Sequence, residues 1–382
     1  MSLQLPGGLP AQEFLARYWH RRPLLIRQAI PGFQGILQIP ELLRLASQAD
    51  VESRLVVRRG KRWELRRGPI SRRQLERMPR RHWTLLVQGV NLHHDGVEPL
   101  LQRFSFIPRA RLDDLMVSYA APGGGVGPHV DSYDVFLLQG EGRRRWRIAP
   151  AGDNALMPGA PFAVLARFHP DQEWELEPGD MLYLPPGYAH DGVAVDRCTT
   201  YSIGFRAPTT RQIAAALLLK LEASIDRRLV ERRYGDAGLL PARRPGRLPA
   251  SMVQFAKDVS RFIHLQQQEL ESCVGEHLSE PKPLVAFEAP SRPVPASAFE
   301  KRVRTSGIAL DRRTCLLYRR GRFYMNGDSW FAEGGDRRLL ERLADQRTLP
   351  AGTSLSADLR KLLHGWYVAG WLHWGNDDDP TR

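Results

Sequence analysis

Apolar and polar positions alternate in two rhythms along the 382 residues, with a change near residue 208. Before it the apolar runs are short and closed off by Gly and Pro. Helical spacing predicts helices over 13–18, 40–46 and 98–104, the second with a proline in its first turn, where the missing amide is not needed. Strands are predicted over 22–27, 53–57, 83–87 and 114–119. The runs at 134–139 and 181–184 are apolar throughout and too short for helices, so they read as buried strands. After the turn Gly140-Glu141-Gly142 the chain returns as a strand over 143–148, and a β-branched and aromatic strand over 199–205 closes the set.

From 209 onward the rhythm is helical. Leu217, Leu218, Leu221, Ile225 and Leu229 share a face of one long predicted helix, 211–230. Val253, Phe255, Val259, Phe262 and Ile263 share a face of a second, 252–270, after a proline-bearing interruption at 241–249. Two helices with wide apolar faces and no strand between them do not make a domain of their own, which predicts burial against a second copy, a homodimer. Five prolines over 281–295 read as an extended linker. Two short strands follow within 314–328, with turns at Arg320-Gly321 and Asn326-Gly327, then helices over 337–344 and 356–371. The aromatic run ending at Trp374 reads as packing surface, with His364 and His373 structural or exposed. These shifts divide the chain at 1–208, 209–280 and 281–382.

Hydrophobic content of 42% and charged content of 25% are ordinary for a globular protein. No run of about 18 apolar residues predicts a membrane span, and the start lacks a signal peptide's basic and apolar regions. Cys198, Cys273 and Cys315 are isolated, which excludes a disulfide framework and a Cys-x-x-Cys zinc site and points to a reduced cytoplasm. The net charge of +13 raises nucleic acid as a partner. Residues 58–81 hold eleven basic side chains against Glu64 and Glu76. This is a solvated basic face, or a weak salt-sensitive contact with RNA.

Chemistry concentrates in 123–148, GGGVGPHVDSYDVFLLQGEGRRRWRI. His129 and Asp131 are two apart, so on an extended chain they share a face and can offer two ligands to one metal ion. The glycines before them let backbone approach where side chains would obstruct. A third candidate is His190, presented by the Pro185-Pro186-Gly187 turn after the strand at 181–184. Two histidines and a carboxylate form the facial triad of non-heme Fe(II) oxygenases, which leaves positions open for a cosubstrate. On the return strand Arg143, Arg145 and Arg147 share one face, while Arg144 lies with Trp146 and Ile148 on the other. A guanidinium on an apolar face is costly without an anion. Two partners fit: a protein carboxylate in a buried ion pair, or the distal carboxylate of 2-oxoglutarate held by a bidentate fork.

These residues, with the runs at 113–118, 133–136, 177–180, 185–187 and 201–208, resemble the JmjC-type ribosomal oxygenases of cupin fold over about 10–208. The resemblance implies an α+β chain: a double-stranded β-helix decorated by helices, then a helical dimerisation segment and a winged-helix-like C-terminal domain. It implies Fe(II) on His129, Asp131 and His190, 2-oxoglutarate on Arg144, and hydroxyls of Ser118 and Ser202 near its distal carboxylate. The implied reaction is hydroxylation of an arginine β-carbon in a large-subunit ribosomal protein. A demethylase on the same iron chemistry, or a non-catalytic cupin in ribosome assembly, are the rival readings. A cationic substrate calls for a locally acidic or aromatic pocket, for which Asp113, Asp114, Asp134 and Asp191 are all candidates.

Overall fold

The computed structural model of the protein describes residues 4–375, apart from 151, 236, 238–245 and 247. The chain divides into two compact units, the first formed by Met1–Ala207, Lys282–Glu288 and Asp311–Arg313. In it, helices α1 (Ala11–Arg17), α2 (Ile39–Ala46), α3 (Arg72–Glu76) and α4 (Glu98–Gln102) accompany twelve strands. These are β1 (Leu24–Ile26), β2 (Ser53–Arg59), β3 (Arg62–Arg67), β4 (Trp83–Val87), β5 (Leu112–Ala120), β6 (His129–Val130), β7 (Asp134–Gln139), β8 (Arg144–Pro150), β9 (Gln172–Leu176), β10 (Met181–Leu184), β11 (Tyr188–Ala194) and β12 (Cys198–Phe205). Eight of them form one antiparallel sheet, in the order β1-β10-β7-β12-β5-β4-β2-β3, and four form a second, β6-β11-β8-β9.

Strand β7 shows why its sequence is apolar throughout. Val135 and Leu137 point between the sheets, where they meet Trp146, Ile148, Leu182 and Leu184. Phe136 and Leu138 point the other way, into a larger core with Phe14, Leu85, Tyr201 and Ile203. A strand covered on both faces has no polar side to show. Asp134 at its head is fully buried, accepts from the Tyr183 hydroxyl at 2.6 Å and pairs with Arg111 and His20. Among the described residues no helix is long and apolar enough to cross a membrane.

In the second unit, helices α5 (Thr210–Glu222), α6 (Ile225–Arg228), α7 (Ala250–Ser260) and α8 (Gln267–Ser279) come first. Both long helices expected here are broken. At the end of α5 the Ser224 hydroxyl donates to the Leu221 carbonyl at 2.7 Å, a local bond that competes with helix continuation. The span expected as one helix over 252–270 ends at Ser260, and a new helix starts under a capping box formed by Gln266 and Glu269. The interruption expected at 241–249 lies largely outside the described residues. Then come α9 (Ala296–Ser306), β13 (Ile308–Leu310), β14 (Leu316–Arg319), β15 (Arg322–Met325), β16 (Asp328–Phe331), α10 (Gly334–Gln346), β17 (Thr348–Leu349), α11 (Ala357–Val368) and β18 (Leu372–Trp374). The expected pair of strands is a three-stranded meander. Arg320-Gly321 and Asn326-Gly327 both take positive φ, which two-residue hairpin turns require. Phe299, Leu340, Leu363, Trp366 and Tyr367 fill this unit's core, and His364 bonds the Val294 carbonyl, in line with structural roles for the terminal aromatic run.

Candidate metal and cosubstrate site

The four-stranded sheet brings the three candidate ligands together. Strands β6 and β11 pair so that His129 stands directly opposite His190, and Asp131 follows one residue after β6. The Gly187 amide donates to the Asp131 carbonyl at 2.9 Å, tying the Pro-Pro-Gly turn to the ligand segment. Donor atoms of all three side chains lie within 4.8 Å of one another, and no other such triplet is found among the described residues. Asp131 Oδ2 is 3.6 Å from His190 Nε2 and 3.9 Å from His129 Nε2.

Both imidazoles are oriented by their own backbone. His129 Nδ1 donates to the Gly127 carbonyl and His190 Nδ1 to the Tyr188 carbonyl, each at 3.0 Å. A carbonyl can only accept, so the proton sits on Nδ1 and each Nε2 keeps its lone pair for a metal. Burial, reinforced by His129 alongside, pushes the His190 imidazole down to about 4, so it stays neutral and ligand-ready at neutral pH. The glycine lead-in does what its composition implies: a Cβ on Gly124 would lie 2.1 Å from the Trp83 carbonyl oxygen, and one on Gly125 would lie 2.5 Å from that of Gly192. Backbone packs on backbone here, and no side chain fits.

Behind the triad lies a cavity of about 360 Å³, lined by Arg144, Ser118 and Ser202 among others. Arg144 is only 5% exposed. Its Nη1 donates to Ser118 Oγ at 3.2 Å, and the guanidinium lies 5.7 Å from the centre of the Trp146 ring. Its Nε and Nη2 are buried with no hydrogen-bond partner. The alternative of a buried ion pair finds no protein carboxylate on Arg144 among the described residues. A guanidinium with two donors left over on one edge suits an anion with two oxygens. The site therefore fits a metal at the triad and a carboxylate at its floor. Two more buried polar atoms without a partner face this cavity, Thr84 Oγ1 and Trp146 Nε1. The sequence offers no signal for Thr84, which joins the site only because β4 pairs with β5 beside Ser118.

The four candidate acidic residues separate. Asp134 belongs to the core network described above. Asp191 is paired with Arg147 at 2.5 Å. Asp113 lines the cavity, and Asp114 lies beside it, buried and bonded to Gln88 at 2.5 Å and to the Gly89 amide at 3.1 Å. Burial, partly offset by Lys282, holds the Asp114 carboxyl above its usual range. Tyr133 also faces the cavity; burial and the neighbouring Asp131 push its phenol up.

The chain is similar to known proteins along most of its length. The JmjC domain family matches residues 99–213, and the ROXA-like winged helix family matches 263–373. The ribosomal protein uL16 3-hydroxylase of Escherichia coli is 35% identical over 298 residues, which cover 77% of either chain. A probable ribosomal oxygenase of Haemophilus influenzae is 38% identical over 53% of this chain and 51% of its own. The structure of the Escherichia coli ribosomal oxygenase YcfD in complex with cobalt and 2-oxoglutarate superposes with a TM-score of 0.82 at 29% identity, covering 98% of this chain and 99% of that one. With a relative this similar along most of both chains, and a JmjC barrel followed by a winged helix, this chain belongs to the JmjC-type ribosomal oxygenases, Fe(II)- and 2-oxoglutarate-dependent protein hydroxylases.

Proposed function

We propose that the chain hydroxylates the β-carbon of an arginine in ribosomal protein uL16, with His129, Asp131 and His190 holding Fe(II) and Arg144 holding 2-oxoglutarate. The observation that carries this reading is the half-satisfied, buried Arg144 guanidinium at the floor of a cavity that ends in the His-Asp-His triad. When bound, iron and 2-oxoglutarate would supply the oxidising chemistry with dioxygen as co-reactant: one of its atoms would oxidise the ketoacid to succinate and carbon dioxide, and the other would enter a substrate C–H bond. The protein's part is position and exclusion of water. Arg144 fixes the distal carboxylate with Ser118 as a second donor, Ser202 lines the same floor, and the Nδ1 bonds hold both imidazoles in one tautomer.

Substrate recognition falls to the cavity's acidic side. Asp113 and Tyr133 both line the cavity, a carboxylate and an aromatic ring that suit a cationic side chain. Incubation with Fe(II), 2-oxoglutarate and a uL16 peptide should release succinate and add the mass of one oxygen to the arginine. Loss of a methyl mass from a methylated peptide would instead favour a demethylase, and no succinate under any condition a non-catalytic binder.

The assembly we infer is a two-fold homodimer through α5 to α7. Leu218 and Leu219 are each 66% exposed, Phe262 is 51% exposed, and no residue of these three helices is buried. That much unpartnered apolar surface favours an isologous contact. Leu218→Glu together with Leu221→Glu should convert the dimer to monomers in sedimentation velocity; a wild type that sediments as a monomer at micromolar concentration defeats the inference. The basic face on β2, β3 and α3 supports a weak, salt-sensitive contact with ribosomal RNA in the cytoplasm. Several of its arginines engage Glu64 and Glu76, while Arg58, Lys61 and Arg62 stand exposed.

A further inference from the structure

Next to the metal-centred cavity, and sharing Gln88 with it as a wall, is a second cavity of about 350 Å³. It belongs wholly to the first unit. One side is the approach to β2, with Asp50 and Glu52; another is Leu92 and His93 beyond β4; the third is the segment 282–288. This proline-bearing segment forms no helix or strand, and its Leu284 is 59% exposed. Most of the wall is aliphatic.

The charged groups around it divide sharply. Lys282 is engaged by Asp113 at 3.1 Å, the same Asp113 that lines the first cavity. Arg313 is engaged by Glu288, by Asp311 and by the Ala286 carbonyl. Burial lowers the His93 imidazole's affinity for a proton, so it adds little positive charge at neutral pH. Asp50 and Glu52 are exposed and form no ion pair among the described residues. On a chain of net charge +13 this groove is locally acidic.

We propose that this second cavity is a subsite for the substrate polypeptide, taking a long basic side chain that flanks the hydroxylated residue. Its methylene stem would lie on the aliphatic wall and its cation would meet Asp50 and Glu52. Two observations choose this occupant. The cavity adjoins the reaction cavity, with Gln88 in both walls and the Asp113–Lys282 pair reaching from one lining to the other, so a chain seated in one runs beside the other. Its free charge also complements a polypeptide that, as a ribosomal protein, carries basic residues to neutralise RNA phosphates; phosphate and nucleotide ligands would be repelled by the same two carboxylates. The inference rests on the uL16 reading above and adds a second point of recognition to it.

The test uses the full chain loaded with Fe(II) and 2-oxoglutarate. A long uL16 peptide is compared with versions in which each basic residue flanking the target is replaced singly by norleucine. With the wild type, one replacement should raise KM about tenfold while kcat stays close. With the Asp50→Asn, Glu52→Gln double variant, KM for the parent peptide should already be raised about tenfold, and that replacement should add nothing further. Peptide-independent oxidation of 2-oxoglutarate should be the same in both enzymes, showing an undisturbed metal and cosubstrate site. The proposal is overturned if no replacement raises KM, or if the rise persists at full size in the variant. If the wild type hydroxylates none of the peptides, the ribosomal substrate itself is wrong and the subsite falls with it.

Discussion

Asp131→Ala should lower 2-oxoglutarate turnover more than about a hundredfold, since mutating even the outer-shell groups that orient metal ligands costs about 10–100-fold. The fold should survive. The Asp131 side chain is 22% exposed and lies near two imidazoles, not in the apolar core. What ties its segment down is the backbone bond from Gly187, which the substitution leaves in place. The metal-free variant should therefore melt within a few degrees of the wild type while binding Fe(II) far more weakly. The check pairs succinate release at saturating Fe(II) with a thermal melt in chelator. Near-wild-type turnover in stringently controlled metal would remove Asp131 from the site.

The meeting of His129, Asp131 and His190 was legible because its signals are local. Two ligands two residues apart on a strand, and a third after a proline turn, survive any uncertainty about how the sheets pack. The strand faces were legible for the same reason: period two put Arg144 inward with Trp146 and Ile148, and all three are buried. What was not legible depends on pairing between distant segments. Asp134 and Asp191 carry the same charge near the same motif as Asp113, and only the positions of Tyr183, Arg111 and Arg147 remove them from the cavity. Thr84 is 45 residues from the nearest metal-ligand candidate and reaches the site through the β4–β5 ladder. The break after Ser260 was hidden because Phe262 and Ile263 continue the apolar spacing, while the capping residues Gln266 and Glu269 are also good helix formers. The segment 282–288 read as part of a linker because five prolines over 281–295 disfavour regular structure, yet its side chains form a wall of the first unit.

Substitution of Arg144 separates its charge from its shape. Arg144→Lys keeps the cation and loses the fork, so the 2-oxoglutarate requirement should rise by roughly 1–3 kcal/mol of binding, the cost of leaving a buried polar group without its partner. That is about a five- to 150-fold increase in KM for 2-oxoglutarate, with Fe(II) affinity unchanged. Arg144→Met asks the complementary question of stability. Arg144 is a buried charge on an apolar face beside Trp146, with no carboxylate on it among the described residues, a condition that favours unfolding. An apolar side chain of similar length removes that penalty and keeps the packing against Trp146. The Met variant should therefore melt at the same temperature as the ligand-free wild type or higher. It should also lose the rise in melting temperature that 2-oxoglutarate with a redox-inert metal gives the wild type. A residue serving only the fold would show the reverse: a lower melting temperature in Arg144→Met, with ligand-induced stabilisation intact. Thermal melts with and without 2-oxoglutarate distinguish the two, because a cosubstrate anchor and a structural arginine shift them in opposite directions.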